Sequence, residues 1–199
     1  MQIKNKKIFI ICLISFFLIN LNLNAEEFDI TAKEILIDKE NGSIVGKGDV
    51  EALDEEGKRI TADKVIYNKS KKFLLAEGNV KLTDIEKNIL KADKITYDKI
   101  NEIIITYENT ELLLNEGYKI FSKNISYNVS KKILSSKNNS IFTDSDGNRV
   151  ETTMFQYDIK NNLFSSIGKI KIIDINKNKY FFKEIHVDIE KKEMVGSDV

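Results

Sequence analysis

The chain contains no proline, a single cysteine and a single histidine. Cys12 lies inside an apolar run near the start of the chain, so the remainder has no disulfide to stabilise it. His186 has no second histidine and no cysteine in 26–199 with which to hold a metal ion. We therefore interpret His186 as an ordinary strand residue and predict neither a metal site nor a cofactor.

Sequence motifs of the common enzyme classes are also missing. Gly-x-Ser-x-Gly does not occur, a serine triad would have to use His186, and there is no glycine-rich nucleotide loop. Asp63 and Asp93 recur at equivalent positions, which could suggest paired catalytic carboxylates. We favour a residue at a strand bulge that accepts backbone hydrogen bonds, because the repeat itself already explains the recurrence. A secreted glycan-acting enzyme would need two carboxylates placed at catalytic spacing, and nothing in the sequence places such a pair. We therefore predict a non-enzymatic protein.

The charge balance gives no sign of a nucleic-acid partner. The chain has 31 basic and 31 acidic residues, and without the first 25 residues the counts are 28 and 31. A protein that neutralises phosphates needs a basic face, which this balance does not favour.

The first 25 residues have the features of a secretory signal. Lys4, Lys6 and Lys7 precede the apolar run 8–19, and Ala25 precedes an acidic pair. The apolar run is short for a membrane-spanning helix. We predict that 1–25 is a cleaved signal peptide and that the exported protein begins at Glu26. The range 26–199 is long enough for one domain with its own core.

A pattern of 30 residues repeats through this range without insertion or deletion, and it is clearest in 60–82. Such a repeat implies one supersecondary unit used many times. We write the sequence in rows of 30 residues that start at Ile30, Ile60, Leu90, Ile120, Val150 and Tyr180. The ninth residue of each row is Asp or Asn. The third residues are Ala32, Ala62, Ala92, Ser122, Thr152 and Phe182, the sixth Ile35, Val65, Ile95, Ile125, Phe155 and Ile185, and the eighth Ile37, Tyr67, Tyr97, Tyr127, Tyr157 and Val187.

Each unit is predicted to hold two strands and two turns. Apolar residues are spaced by two, as strands require, and the parity slips once at Asp63-Lys64, where a bulge or corner keeps both apolar pairs on one side. Glycine inside the second strand, as at Gly48 and Gly78, indicates a bulge or bend. Without proline or sustained helical spacing, we predict an all-β fold of about eleven strands.

Two architectures fit such a fold. Polar turns after every strand favour antiparallel neighbours over a parallel β-helix. We predict a jelly roll or taco with one inner apolar face and two open edges.

An apolar stripe on one face is the main candidate site. On adjacent strands, the sixth and eighth residues of four rows would stack beside one another. The stripe could be ordinary core, or it could line a groove for acyl chains if the sandwich is open along one side. Its residues are Val65, Tyr67, Ile95, Tyr97, Ile125, Tyr127, Phe155 and Tyr157.

The segments 60–82 and 90–98 closely resemble the OstA-like domain of lipopolysaccharide transport, whose units read as Ala-Asp-Lys, a strand, then Ala-x-Gly-Asn-Val. The resemblance extends over the exported chain and is strongest in 30–100. It is weaker where 108–110 and 138–140 replace Gly-Asn-Val. It implies a periplasmic β-jelly roll that shields acyl chains of lipopolysaccharide and joins end to end with like domains.

Within that family, the closing segment 180–199 is most similar to the periplasmic N-terminal domain of the outer-membrane lipopolysaccharide-assembly protein. That similarity implies a fragment that continues to an outer-membrane barrel, with an outer-membrane lipoprotein as a further partner. The alternative is the soluble periplasmic bridge protein itself. The resemblance also implies that the bridge protein adds a strand to the first edge, for which the candidate residues are Phe28, Ile30, Ile35 and Ile37.

Overall fold

The computed structural model describes residues 28–115 and 117–197, so the predicted signal peptide and Glu26 lie outside the described residues. All regular structure in these ranges is β, as predicted. The strands are β1 (Phe28–Thr31), β2 (Glu34–Asp38), β3 (Ser43–Asp54), β4 (Arg59–Asn68), β5 (Phe73–Thr83), β6 (Ile89–Asp98), β7 (Ile103–Leu113), β8 (Lys119–Lys123), β9 (Ser126–Asn128), β10 (Ile133–Ser136), β11 (Ser140–Thr143), β12 (Arg149–Thr152), β13 (Phe155–Asp158), β14 (Leu163–Ile173), β15 (Lys179–Asp188) and β16 (Glu193–Ser197).

All sixteen strands belong to one sheet, and each pairs with its neighbours in antiparallel register. Antiparallel pairing agrees with the predicted jelly roll and rules out a parallel β-helix. The predicted number of about eleven strands was too low, because four of the expected strands are each divided in two and because the shortened last unit also has a second strand, β16. The divided pairs are β1 with β2, β8 with β9, β10 with β11, and β12 with β13.

The long strands bend near their middle, at the predicted position. In β4, Ala62 and Val65 are both buried although their spacing is odd, so the strand changes face between them. The extra residue of the bulge lies in the neighbouring strand, where Gly48-Asp49 opposes Asp63 and Gly78-Asn79 opposes Asp93. Gly78 has a φ of +78°, and a Cβ there would collide with the Asp63 carboxylate. The bends therefore form one closed side of the molecule, which we call the seam.

The bends divide the sheet into two layers. The first layer contains β1, β8, β11 and β12, and the second contains β2, β9, β10, β13 and β16. The long strands β3–β7, β14 and β15 contribute one arm to each layer. The sheet forks at β7, which pairs with both β8 and β9, and it rejoins at β14, which pairs with both β12 and β13.

Buried hydroxyl groups line the seam where the sheet forks. Ser122 Oγ lies 3.0 Å from Ser136 Oγ and 2.7 Å from Ser140 Oγ. Ser136 Oγ donates to the Lys123 carbonyl at 2.8 Å, next to the interruption between β8 and β9. Backbone groups that lose a strand partner must find another when they are buried. Ser122 and Ser136 supply one where an unbroken row has Ala62 and Ala76.

The inner faces of the two layers pack on one another. Phe142 of the first layer contacts Phe155 and Phe164 of the second, with ring centroids 4.7 and 4.9 Å apart. A continuous core of buried apolar residues runs along both layers. Burial of these apolar inner faces is the main interaction that holds the two layers together.

Side chains at the strand ends fix the turns. The Asp or Asn at the ninth position of each row accepts hydrogen bonds from backbone N–H groups of its own turn. Asp98, for example, accepts them from Ile100 and Asn101 at 3.0 Å. In the first-layer turns an Asp has the same role, since Asp54 accepts a hydrogen bond from the backbone N–H of Lys58 at 2.8 Å. The second-layer turns are also bonded to one another, since Lys69 N donates to Gly42 O at 2.9 Å. The same bond recurs one repeat apart from Lys99 to Lys72, Val129 to Glu102, Ile159 to Lys132 and Ile189 to Asn162.

Candidate functional site

A groove runs between the two layers along the side opposite the seam. Its mouth lies between the two rows of turns, because residues of both rows, such as Glu86 and Lys132, line the same cavity. That cavity, the middle chamber, measures about 250 Å³. A second cavity of about 350 Å³, the C-terminal chamber, adjoins it at Leu114 and reaches Met194. A third of about 390 Å³, the N-terminal chamber, lies beside Ile35 and Ile44.

The second-layer wall of the groove contains the predicted apolar stripe. Val65, Ile95 and Ile125 are completely buried beside the seam and line none of the three chambers. Tyr127 lines the middle chamber and Tyr157 the C-terminal chamber. The stripe is therefore brought together on one inner face, and its members differ in how close they lie to the mouth. The remaining members, Tyr67, Tyr97 and Phe155, are buried.

The first-layer wall was missed by the sequence reasoning. The middle chamber is bounded on this side by Leu82, Leu90 and Leu112, and the C-terminal chamber by Phe142 and Ile172. The signal was present, since these residues recur in the same 30-residue register with strand spacing. A groove with two apolar walls can cover an apolar chain from both sides, which a single stripe cannot.

The second-layer turns form one edge of the mouth of the groove, which we call the lip. The tenth residue of each row, which lies on this lip, changes from charged to apolar along the groove. The tenth residue of each row is Lys39, Lys69 or Lys99 in the first three rows and Val129, Ile159 or Ile189 in the last three. Val129 and Ile159 line the middle chamber, and Ile189 lines the C-terminal chamber. The last three rows therefore present an apolar lip, and the groove is more hydrophobic towards β16.

An aromatic cluster lies in the groove beside the N-terminal chamber. Phe28 of β1 is 1% exposed, and its ring centroid lies 5.0 Å from that of Tyr67 and 6.2 Å from that of Tyr97. Lys99 Nζ lies 5.0 Å from the centre of the Phe28 ring. Burial raises the pKa of Tyr97 to about 12, an effect that nearby Lys58 opposes.

The predicted partner-edge residues lie on two strands. β1 and β2 each pair with β3 alone among the described residues. Ile30 is half-buried, and Phe28 points into the groove, whereas Ile35 and Ile37 are exposed, Ile37 by 65%. At the opposite end β16 pairs only with β15 within the described part of the chain. Both ends of the sheet thus present strand edges.

Asp63 and His186, the possible catalytic residues, make local contacts within the sheet. Asp63 accepts a hydrogen bond from the Asn79 side-chain amide at 2.9 Å across the bulge. His186 lies in β15, with Nε2 2.9 Å from a Glu184 carboxylate oxygen on the surface. In 28–115 and 117–197 no three His, Cys, Asp or Glu side chains are grouped so as to hold a metal ion. These same ranges contain no helix long and apolar enough to cross a bilayer.

Comparisons with known proteins show similarity in structure but not in sequence. No model of a known protein family and no curated protein matches the sequence. Among solved structures, the chain is similar to LptH, the LptA homologous periplasmic component of the conserved lipopolysaccharide transport device from Pseudomonas aeruginosa. The TM-score is 0.48 with 16% sequence identity, over 54% of this chain and 79% of LptH.

Proposed function

We propose that this protein is a non-enzymatic component of lipopolysaccharide transport that shields acyl chains in the groove between its two layers. The observation that carries the proposal is the groove itself, which has two apolar walls, an open mouth between two rows of turns and room near Tyr127 and Tyr157. The resemblance of 60–82 and 90–98 to OstA-like repeats supports the choice of lipopolysaccharide as the lipid.

The physical requirement is a matching apolar surface. Several acyl chains crossing water expose on the order of hundreds of Å², each worth about 25 cal/mol. A carrier lowers that cost by covering the chains, and it must release them again. A groove open along its mouth suits both requirements, because the chains can leave without passing through a closed barrel.

The finer proposal is that the chain acts on the periplasmic side of the outer membrane as the first domain of the lipopolysaccharide-assembly protein. In that role the bridge protein would add a strand to the edge formed by β1 and β2, where Ile35 and Ile37 are exposed. The alternative is that this chain is the soluble bridge protein. Reading the gene beyond Val199 distinguishes them, since only the assembly protein continues into a long series of alternating strands.

Photo-crosslinking in cells tests the lipid-binding function. A photoreactive residue at Tyr127 or Tyr157, inside the groove, is expected to capture lipopolysaccharide. Phe121 is the matched control, because it is aromatic and exposed on the outer face next to the inward-facing Ile120. A further control is Lys71, which lies in a polar turn. Equal capture at Tyr127 and Phe121, or none at either groove position, would show that the stripe is ordinary core and that lipid travels elsewhere.

A further inference from the structure

The groove is not continuous along its length. The Phe28 side chain lies between the N-terminal chamber, which it lines, and the ring of Tyr97 in the third row. Tyr67 closes the same position from the second layer, at 5.0 Å from Phe28. The aromatic cluster therefore separates the N-terminal chamber from the middle chamber.

An ion pair crosses the mouth directly over this partition. Lys99 belongs to a second-layer turn and Glu55 to a first-layer turn, and Lys99 Nζ lies 3.8 Å from Glu55 Oε1. The Lys99 side chain is only 11% exposed, and within the described residues Nζ makes no hydrogen bond. A buried ammonium group requires compensation, which here comes from the Glu55 carboxylate and the face of the Phe28 ring. Phe28 and Glu55 thus both contact the Lys99 ammonium group.

The strand that carries Phe28 is weakly attached. β1 has four residues and pairs only with Glu51–Asp54 of β3 among the described residues. It is separated from β2 at Ala32-Lys33, where Lys33 N donates to Gly48 O at 3.0 Å and ties the start of β2 to β3 independently of β1. Short edge strands with one partner have low local stability. Burial of Phe28 is therefore a large part of what holds β1 in place.

We propose that Phe28, Lys99 and Glu55 form a gate that closes the N-terminal end of the groove and opens to let an acyl chain pass. The gate rests on the proposed lipid-carrying function and adds to it a point of control. With the gate closed, chains occupy the middle and C-terminal chambers. With β1 displaced, the three chambers become one passage.

Crosslinking of purified protein to lipopolysaccharide tests the gate. One photoreactive residue replaces Ile44, which lines the N-terminal chamber, and in a second protein another replaces Tyr127. We expect capture at Tyr127 and little at Ile44 with the gate intact. Phe28→Ala should raise the ratio of Ile44 to Tyr127 labelling by about tenfold, the change expected when burial of one ring no longer holds the gate shut.

Two further variants keep the test decisive. Glu55→Gln removes the ion pair at a largely exposed residue and should raise the ratio less than Phe28→Ala does, without unfolding. Phe73→Ala, which truncates an exposed ring at the start of β5, should leave the ratio unchanged. Equal labelling of both positions with Phe28 in place, or an unchanged ratio in both gate variants, overturns the gate alone. Absence of labelling at Tyr127 in every protein overturns the lipid-carrying function and the gate with it.

Discussion

Folding changes the acidity of the Tyr97 phenol strongly. Its ring is enclosed by Phe28 and the neighbouring strands, and burial raises its pKa from 10.0 to about 12. The nearby carboxylates of Glu56 and Asp54 act in the same direction, while Lys58 acts against them. The neutral phenol is thus favoured in the folded protein and less so in the unfolded chain.

Tyr97 should therefore make stability fall at alkaline pH. Below pH 10 the phenol is protonated in both states, and its contribution is fully present. Between pH 10 and 12 the unfolded chain loses the proton while the folded protein keeps it, so the free energy of unfolding decreases. Urea unfolding of wild type and Tyr97→Phe at pH 9 and pH 11.5 should show a smaller loss for the variant.

Tyr107→Phe is the control for this comparison, because Tyr107 is exposed. Its stability should change with pH as the wild type does. Parallel pH curves for Tyr97→Phe and wild type would contradict the assigned environment of Tyr97.

The inward orientation of the tyrosine column was predictable from sequence, because strand alternation is local. The sequence did not separate Tyr97, which is covered, from Tyr127, which lines a chamber. The difference arises from Phe28, a residue far away in the sequence whose neighbours are set by the folding of the whole edge. Covering contacts of this kind leave no periodic signal.

At the scale of elements, the fork between β7 and β14 is held by hydroxyl groups. Ser122 connects β8 to Ser136 of β10 and Ser140 of β11 in a buried position. Loss of one partner in a buried network leaves other polar groups unsatisfied. The serine is thus not equivalent to the alanines at the same position in unbroken rows.

Ser122→Ala should lower the free energy of unfolding by about 1–3 kcal/mol, since it deprives buried hydroxyls of a partner. Ser130→Ala, in an exposed turn, should change it by less than about 0.5 kcal/mol. Chemical denaturation of both variants measures the difference. Equal stability of the two would mean that the seam hydroxyls are satisfied in another way.

The strands, the bends and both rows of turns followed from sequence, because period-two spacing, glycine pairs and Asp or Asn at the ninth position are all local features. The fork did not. At the fork, side-chain hydrogen bonds across the seam replace backbone pairing, and they join Ser122, Ser136 and Ser140 from three different strands. Two sequence signals were present, the change at the third position from Ala62 and Ala92 to Ser122 and Thr152, and the loss of Gly-Asn-Val at 138–140.

At the scale of the whole molecule, the sheet has two ends, and they differ. One end combines β1, with Phe28 buried, and β2, whose residues are all exposed. The other is β16, which belongs to the second layer only. A partner that adds a strand to the first end would meet an edge divided between two layers.

Ile35→Pro should weaken strand addition at the β2 edge, because proline removes a backbone donor and disrupts the extended strand. A pull-down with the purified bridge protein should recover less of this variant, with the circular dichroism spectrum unchanged. Val195→Pro, a matched change in the opposite edge strand β16, should leave recovery as in wild type. Equal recovery of the Ile35 variant and wild type would exclude docking at this edge.

Half of the groove was predictable. The second-layer stripe was recognised because four tyrosines share one position, whereas the leucines of the first-layer wall at Leu82, Leu90 and Leu112 look like any core. Which faces of a folded sheet oppose one another depends on the angle of the bends. That angle results from packing over the whole seam and is not written in any single unit.

The hydrogen bonds that join successive second-layer turns relate the length of the groove to the number of 30-residue units. Each unit is bonded to the one before it through the same turn contact, from Lys69 to Gly42 onwards. Inserting one further unit would add two strands and extend the groove by about 9–10 Å without changing the register of the others. The length of the groove can therefore change only in whole steps, by duplication or loss of a 30-residue unit.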